Sequence, residues 1–272
     1  MWGCERVVTV PLIVAAVGLS LIMALAFAVQ RRTGRSGFID AIWSFATAGA
    51  GVFLVLAPGM NEVGVSGRQV AVTLLATVWG LRLGSHILMR TLGGGEDPRY
   101  LALQQEWGAD FPRRLFWFLQ VQAACAFLLA ATLGLAGHRP GAFPDSVDLG
   151  GFALLIVAIG GAALADKQLA RFRRDPSHRG LVCASGLWSV SRHPNYFFEW
   201  LGWLAVAVVA LDPAGQYWQG LFALTGPAFM YWLLVHVSGI PPLEAHMLRS
   251  RGDAFRAYQA RVNAFFPGKP AT

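Results

Sequence analysis

The sequence predicts an all-α integral membrane protein with seven transmembrane helices, its N-terminus outside and its C-terminus cytoplasmic. Three observations carry that expectation: an apolar composition, a series of apolar runs of membrane-crossing length, and basic residues crowded into alternate loops. Of the 272 residues, 55% are hydrophobic and 14% charged, and the mean hydropathy is +0.49. Soluble domains carry roughly 25% charged residues. A chain so poor in charge cannot cover a water-soluble fold, so part of its surface must face lipid. The same figures exclude disordered, collagen-like and disulfide-scaffold classes. Cys4, Cys125 and Cys183 are far apart and form no CxxC pair, so no disulfide framework or metal site is expected.

Crossing a hydrocarbon core of roughly 30 Å takes about 20 apolar residues. Runs of that kind fall near 7–29, 38–57, 70–89, 115–136, 149–165, 196–211 and 217–237. The first is too long for a signal peptide and lacks a small-residue cleavage site, so it is kept as a helix. The second opens with Asp40, and the third contains Arg82 and His86. The fifth and sixth are short, with polar residues at their ends, and cross with shelter from their neighbours. After the seventh, SGIPP marks a turn from which a cytoplasmic amphipathic helix starts. The orientation follows from Lys and Arg. One side collects Arg31, Arg32 and Arg35; Arg90, Arg99, Arg113 and Arg114; the run from Lys167 to Arg192; and the tail from Arg249 to Lys269. The other side holds Arg6, Arg68 and Arg139. The net charge of +7 does not indicate nucleic acid, because the charges lie between apolar runs and form no continuous basic helix.

An ionisable side chain within a spanning helix costs about 2.5 to 3.5 kcal/mol on insertion scales, which makes it a functional candidate. Asp40 has Trp43 and Thr47 on its helical face. Arg82 and His86 share a face at i, i+4, and Arg90 continues it. Asn195 and Glu199 are likewise i, i+4 at the start of the sixth run. Asp40 is also readable as a helix cap, His236 as a packing histidine, and Trp188, Trp200 and Trp203 as interfacial or core aromatics. Other chemistries lack their motifs. GGGEDP at 93–98 follows a membrane helix and has neither GxGxxG nor Walker spacing; no HExxH or GxSxG occurs; and no matched pair of broken helices suggests a transporter. What remains is a cytoplasmic crown of Arg82, Arg90, Arg99, Arg173, Arg192 and Arg261, interleaved with Asp166, Asn195, Glu199, Glu244, Tyr100, Tyr196 and Tyr258. Arginine binds phosphate bidentately, and carboxylates and amides hold ribose hydroxyls or a carboxamide. The mixture suits an anionic, nucleotide-like ligand.

The segment GLWSVSRHPNYFFEWLGW, preceded by ALADKQLARFR and followed by SGIPPLEAHMLRSRGDAFRAYQARVNAFFP, resembles the C-terminal domain of the steroid 5α-reductase family. IDAIW and WGLRLGSHILMR…EDPRY look like its bacterial branch, so the resemblance spans nearly the whole chain. Isoprenylcysteine and phospholipid methyltransferases, which use S-adenosylmethionine, also carry RHPxY and a later Glu. They often show an acidic pair where this chain has Glu244 alone, and they form the alternative reading. A non-catalytic lipid-binding or transport protein is a third.

The resemblance implies an NADPH-dependent reductase of the Δ4 double bond of a 3-oxo steroid or similar apolar enone, in the bacterial cytoplasmic membrane or, in a eukaryote, the endoplasmic reticulum. It implies a single membrane domain in which 1–137 holds the apolar substrate pocket and 138–272 the NADPH-binding half. The substrate enters from the bilayer, and a monomer without nucleic acid is expected. By motif, Asp166, Arg173, Arg192, His193, Asn195, Tyr196, Glu199, Glu244 and Tyr258 become cofactor contacts, with Arg82, Arg90, Arg99 and Arg261 beside them. The catalytic acid of the family is a carboxyl or amide on an early helix with a tyrosine on the next. Asp40 is the nearest carboxyl, expected to donate a hydrogen bond while kept neutral by apolar surroundings, and Trp43 flanks it in the substrate site. No tyrosine lies within 70–89, which leaves His86 or Tyr100 as its substitute.

Overall fold

The computed structural model describes residues 2–57, 64–94 and 97–270. Among these the regular structure is entirely helical. Six segments are long and apolar enough to cross a membrane: Thr9–Thr33, Gly37–Leu56, Gly67–Leu92, Arg99–Gly137, Ser146–Arg174 and Trp218–Arg251. The chain is therefore a multi-pass integral membrane protein. It divides into two units, Met1–Asp148 with Ala207–Gly226, and Leu149–Val206 with Pro227–Thr272.

The first unit is built from α1 (Trp2–Thr33), α2 (Gly37–Leu56), α3 (Gly67–Leu92), α4 (Pro98–Trp107) and α5 (Phe111–Gly137). Ser66 and Gln69 close a reciprocal capping box at the start of α3, satisfying two amides that the helix itself leaves without acceptors. Asp97 starts α4 by accepting from the Arg99 amide, and Pro98 stands in the first turn, where its missing N–H is not needed. α2 packs against α1, α3 and α5. Small residues allow it. A Cβ on Gly80 would overlap that of Ala48, one on Gly84 would meet the Phe45 ring at 2.6 Å, and one on Gly137 would meet Val55 at 2.8 Å. Lipid offers no hydrophobic drive between helices, so close backbone approach and dispersion must hold them together. Leu19, Met23, Ile39, Leu115 and Leu119 form the buried core, while Leu21, Leu74 and Trp117 are more than half exposed, as lipid-facing side chains are.

Three buried charges, Arg68, Arg139 and Asp148, and the partly exposed Asp145 cluster at one end of this unit. Arg68 pairs with Asp148 at 2.8 Å, and Arg139 pairs with Asp145 at 2.7 Å and Asp148 at 2.8 Å. Arg68 also donates to the Arg139 and Ala142 carbonyls. Charges taken out of water persist only when paired and hydrogen-bonded, and the guanidinium bonds of Arg68 largely meet that condition. The segment Trp218–Leu224 forms a 3-10 turn against α5, and Tyr217 Oη donates to the Leu135 carbonyl at 3.1 Å.

The second unit takes most of α6 (Ser146–Arg174) and α7 (Pro194–Ala210), then α8 (Thr225–Trp232), α9 (Ile240–Arg251) and α10 (Asp253–Arg261). The loop from α6 to α7 is pinned to α6 by Trp188 Nε1 donating to the Ala165 carbonyl and by Gln168 accepting from the Leu187 amide. The tail then straps that loop: Arg192 N bonds Asn263 O, Ser191 Oγ bonds Phe265 O, and Gly268 N bonds Val190 O. Phe197, Trp200, Tyr231, Phe265 and Phe266 stack edge-to-face beneath the strap. Gly252, at φ +52°, makes the turn between α9 and α10, a conformation that costs a side chain with a Cβ energy.

The seven runs meet the structure unevenly. The sixth corresponds to α7, whose 17 residues are fewer than those of any of the six crossing segments, and it is not among them. The seventh, 217–237, is not one α-helix. It begins as the 3-10 turn, continues as α8, and ends in a π-helix at Leu233–Val237. Hydropathy records composition and is blind to the hydrogen-bond register that separates these forms. The helix expected after SGIPP is α9, with Pro241 and Pro242 in its first turn. Gly95 and Glu96 of GGGEDP lie outside the described residues.

Candidate functional site

Two clusters of polar side chains stand out, one in each unit. In the first unit, α2 presents Asp40 one turn inside its start, and α4 presents Arg99 and Tyr100. Arg99 Nη2 and Asp40 form an ion pair, and Tyr100 Oη donates to Asp40 Oδ1 at 2.9 Å. Gln122 Nε2, from α5, lies 3.4 Å from Tyr100 Oη. Trp43 Nε1 donates to the Gln122 carbonyl at 3.0 Å, which ties the same stretch of α5 to α2. Behind Arg99 stands Asp97, which takes Arg99 Nε at 2.9 Å and Arg90 at 3.1 Å. Burial alone would raise the Asp97 carboxyl, but the hydrogen bonds and charge of Arg99, with Arg90 adding, hold it below the ordinary value.

The surroundings of Asp40 differ from those expected. Its surroundings are not apolar, since a guanidinium and a phenol both donate to it. It accepts hydrogen bonds from Arg99 and Tyr100. Asp40, Trp43, Arg99 and Tyr100 are brought together, and Arg90 joins through Asp97. His86 is exposed on α3 and makes none of these contacts, so of the two proposed tyrosine substitutes only Tyr100 sits with Asp40. Arg82, on the same helix, is partly buried and engaged with other groups. Sequence reasoning passed over Gln122 and Asp97. Gln122 carries no charge, and a search for ionisable groups does not register an amide. Asp97 sits in a loop beyond the apolar run.

In the second unit the RHPNY loop meets the tail. Arg192 pairs with Glu244 at 2.7 Å, and its Nη1 donates to the Gln259 and Val262 carbonyls. His193 Nε2 lies 3.0 Å from Glu244 Oε1, and Gln259 Nε2 donates to Glu244 Oε2 at 2.7 Å. Tyr258, 3% exposed, donates to the Trp188 carbonyl. Burial pushes its phenol above the usual range. His193, also 3% exposed, stacks on Tyr196 with ring centres 5.6 Å apart. Burial lowers its imidazole below the ordinary value, and Glu244 only partly offsets that. The Nδ1 atom of His193 is buried without a hydrogen-bond partner.

The polar atoms of Arg192, Glu244 and Tyr258 are thus spent on neighbouring chain. They form a knot that fixes the start of α7. The other expected cofactor contacts of this unit are more open. Asn195 is partly exposed and its amide makes no hydrogen bond among the described residues. Tyr196 and Glu199 are partly exposed on the same helix, Asp166 is partly exposed on α6, and Arg173 and Arg261 are exposed. Carboxylates, an amide and guanidinium groups of this kind can hold hydroxyl, amide and anionic groups of a ligand. Gln259 and Ser191 were not foreseen; both are uncharged and act through contacts distant in sequence.

No curated protein and no solved structure matches the chain. The profile of the family described as protein of unknown function DUF1295 matches residues 26–262, a span that contains both clusters. The chain belongs to that family, in the steroid 5-alpha reductase-like group.

Proposed function

We propose that this protein is an NADPH-dependent membrane reductase that saturates the activated carbon–carbon double bond of an apolar enone, such as a 3-oxo-Δ4 steroid, taken from the bilayer. The observation that carries the reading is Tyr100, a buried hydroxyl held by Asp40 and Gln122 at the edge of the apolar core. Reduction of an enone builds negative charge on its carbonyl oxygen, and a preorganised donor at that oxygen lowers the barrier. Tyr100 supplies the donor by turning its hydroxyl hydrogen from Asp40 to the carbonyl. Arg99 keeps the Asp40 carboxylate in place while this happens. Trp43 and the core around it give the ring system an apolar seat. A bound reduced nicotinamide dinucleotide would supply the hydride for the β-carbon, and a proton at the α-carbon completes the saturated ketone.

The donor set of the second unit fits such a dinucleotide. Asn195 offers a free amide, Asp166 and Glu199 suit ribose hydroxyls, and Arg173 and Arg261 suit phosphates. Arg192, His193, Glu244 and Tyr258 act behind them as positioning residues. The reading includes α7 as a seventh crossing helix, the N-terminus outside, the C-terminus cytoplasmic, and a monomer in a bacterial cytoplasmic membrane.

A thermal-shift titration of the detergent-purified protein with NADPH, NADH and S-adenosylmethionine tests it, because a ligand that binds only the folded state raises apparent stability. NADPH is expected to raise the midpoint selectively, and Asn195→Ala to lose most of that rise while keeping the unliganded midpoint. Stabilisation by S-adenosylmethionine instead assigns the methyltransferase chemistry and removes the reductase reading, as does a response to none of the three.

A further inference from the structure

A groove lies where α4 ends and α5 begins, lined by Trp107, Asp110, Arg113, Arg114, Trp117 and Phe118. Its floor is fixed: Trp107 and Phe118 pack on the buried core and meet edge-to-face with ring centres 6.1 Å apart. Its rim is different. Arg113 and Arg114 are exposed and make no hydrogen bond or ion pair among the described residues. Both stand in the first turn of a 27-residue helix, where the helix dipole disfavours cations. Asp110, the residue before the helix, makes no side-chain bond to the first-turn amides. Two unpaired guanidinium groups at the positive end of a helix are complementary to an anion, and the single carboxylate of Asp110 leaves the rim net positive.

The spacing along α5 says which anion. Arg113 and Trp117 are i, i+4, as are Arg114 and Phe118, so each cation stands one turn before an aromatic ring on the same face. The groove lies in the first half of the membrane-crossing segment Arg99–Gly137, of which α5 forms the rest, and Trp117 is 63% exposed. Charge at the helix start and bare aromatic surface further along match an amphiphile with an anionic head and an acyl tail. Tryptophan at a membrane interface and arginine beside it are the side chains that hold such a head group.

We propose that this groove binds one anionic phospholipid, its phosphate on Arg113 and Arg114 and its acyl chain along Trp117. The site shares no residue with either polar cluster, although Phe118 meets the Tyr100 ring edge-to-face with centres 6.5 Å apart, and it does not depend on the reductase reading. The test is a thermal-shift titration of the purified protein with phosphatidylglycerol, phosphatidylcholine of the same acyl chains, and glycerol phosphate. Phosphatidylglycerol is expected to raise the midpoint more than phosphatidylcholine, and the double variant Arg113→Gln, Arg114→Gln to lose that difference while keeping the phosphatidylcholine response. Arg31→Gln with Arg32→Gln removes the same charge from the exposed end of α1 and should keep the difference. Equal responses to the two lipids, an unchanged difference in the groove variant, or the same loss in the Arg31, Arg32 control overturns the proposal. So does an equal rise with glycerol phosphate alone, which would make the ligand a soluble anion.

Discussion

His193 has two protonation states of very unequal cost. Its Nε2 faces Glu244 Oε1 at 3.0 Å, Arg192 lies on the same carboxylate, and Tyr196 covers the ring. A second proton would go to Nδ1, which is buried with nothing to accept it; a donor left unsatisfied in that way costs about 1–3 kcal/mol. The folded imidazole therefore titrates below the ordinary 6.5, with burial as the main cause. The unfolded chain takes up the proton first as pH falls, so the contribution to stability is complete above pH 6.5 and is lost as pH drops through the folded value. The thermal midpoint should accordingly hold from about pH 8 to 7 and decline below about 6.5. His193→Gln should flatten the part of the decline above about pH 5, before ordinary carboxylates begin to titrate. An identical slope in the variant would show that another group sets it. The same residue shows what sequence could and could not disclose. RHPNY marked His193 as important, yet its partner Glu244 is 51 positions away. Likewise the cost of a charge in an apolar run pointed to Asp40, but Arg99, 59 positions on, was not legible from helical spacing, which relates only neighbours three or four apart.

Helices show the same division between composition and contact. The five long helices were legible because some twenty apolar residues have few alternatives in a membrane. The change from 3-10 to α to π across 218–237 was not, since it depends on backbone hydrogen bonding. Nor were the glycine seams. Gly84 and Gly137 read alike in sequence, but a methyl group at Gly84 meets the Phe45 ring, which is 36% exposed and has room to turn, whereas at Gly137 it meets Val55, which is 0% exposed. Alanine in a helix gains about 1 kcal/mol over glycine, and overpacking a rigid contact costs roughly 1–3 kcal/mol. Gly84→Ala should therefore leave the thermal midpoint unchanged or slightly raised, and Gly137→Ala should lower it. Equal midpoints for the two variants would mean that α2 and α5 can separate without cost, contrary to the packing at Val55.

At the scale of the whole chain, one short helix decides where the C-terminus lies. The 17 residues of α7 span about 25 Å at 1.5 Å per residue, a little less than a hydrocarbon core of about 30 Å. If α7 does not cross, the six longer segments place both termini on one side. With the N-terminus outside, the tail from Arg249 to Lys269 would then be outside with it. With the N-terminus inside, Arg31, Arg32 and Arg35 would be outside, along with Arg90, Arg99, Arg113 and Arg114. Either arrangement places a basic cluster on the wrong face, and basic residues near helix ends are the strongest determinant of orientation. A crossing α7 removes the conflict. Only Arg6, Arg68 and Arg139 are then outside, and Arg68 and Arg139 are neutralised by Asp145 and Asp148. In bacterial cells, a fluorescent protein fused to the C-terminus should therefore fluoresce and alkaline phosphatase fused there should be inactive. An N-terminal epitope should be reached by antibody from outside without permeabilising the inner membrane. An active C-terminal phosphatase would remove α7 from the count of crossing helices and leave the basic tail without a topological explanation.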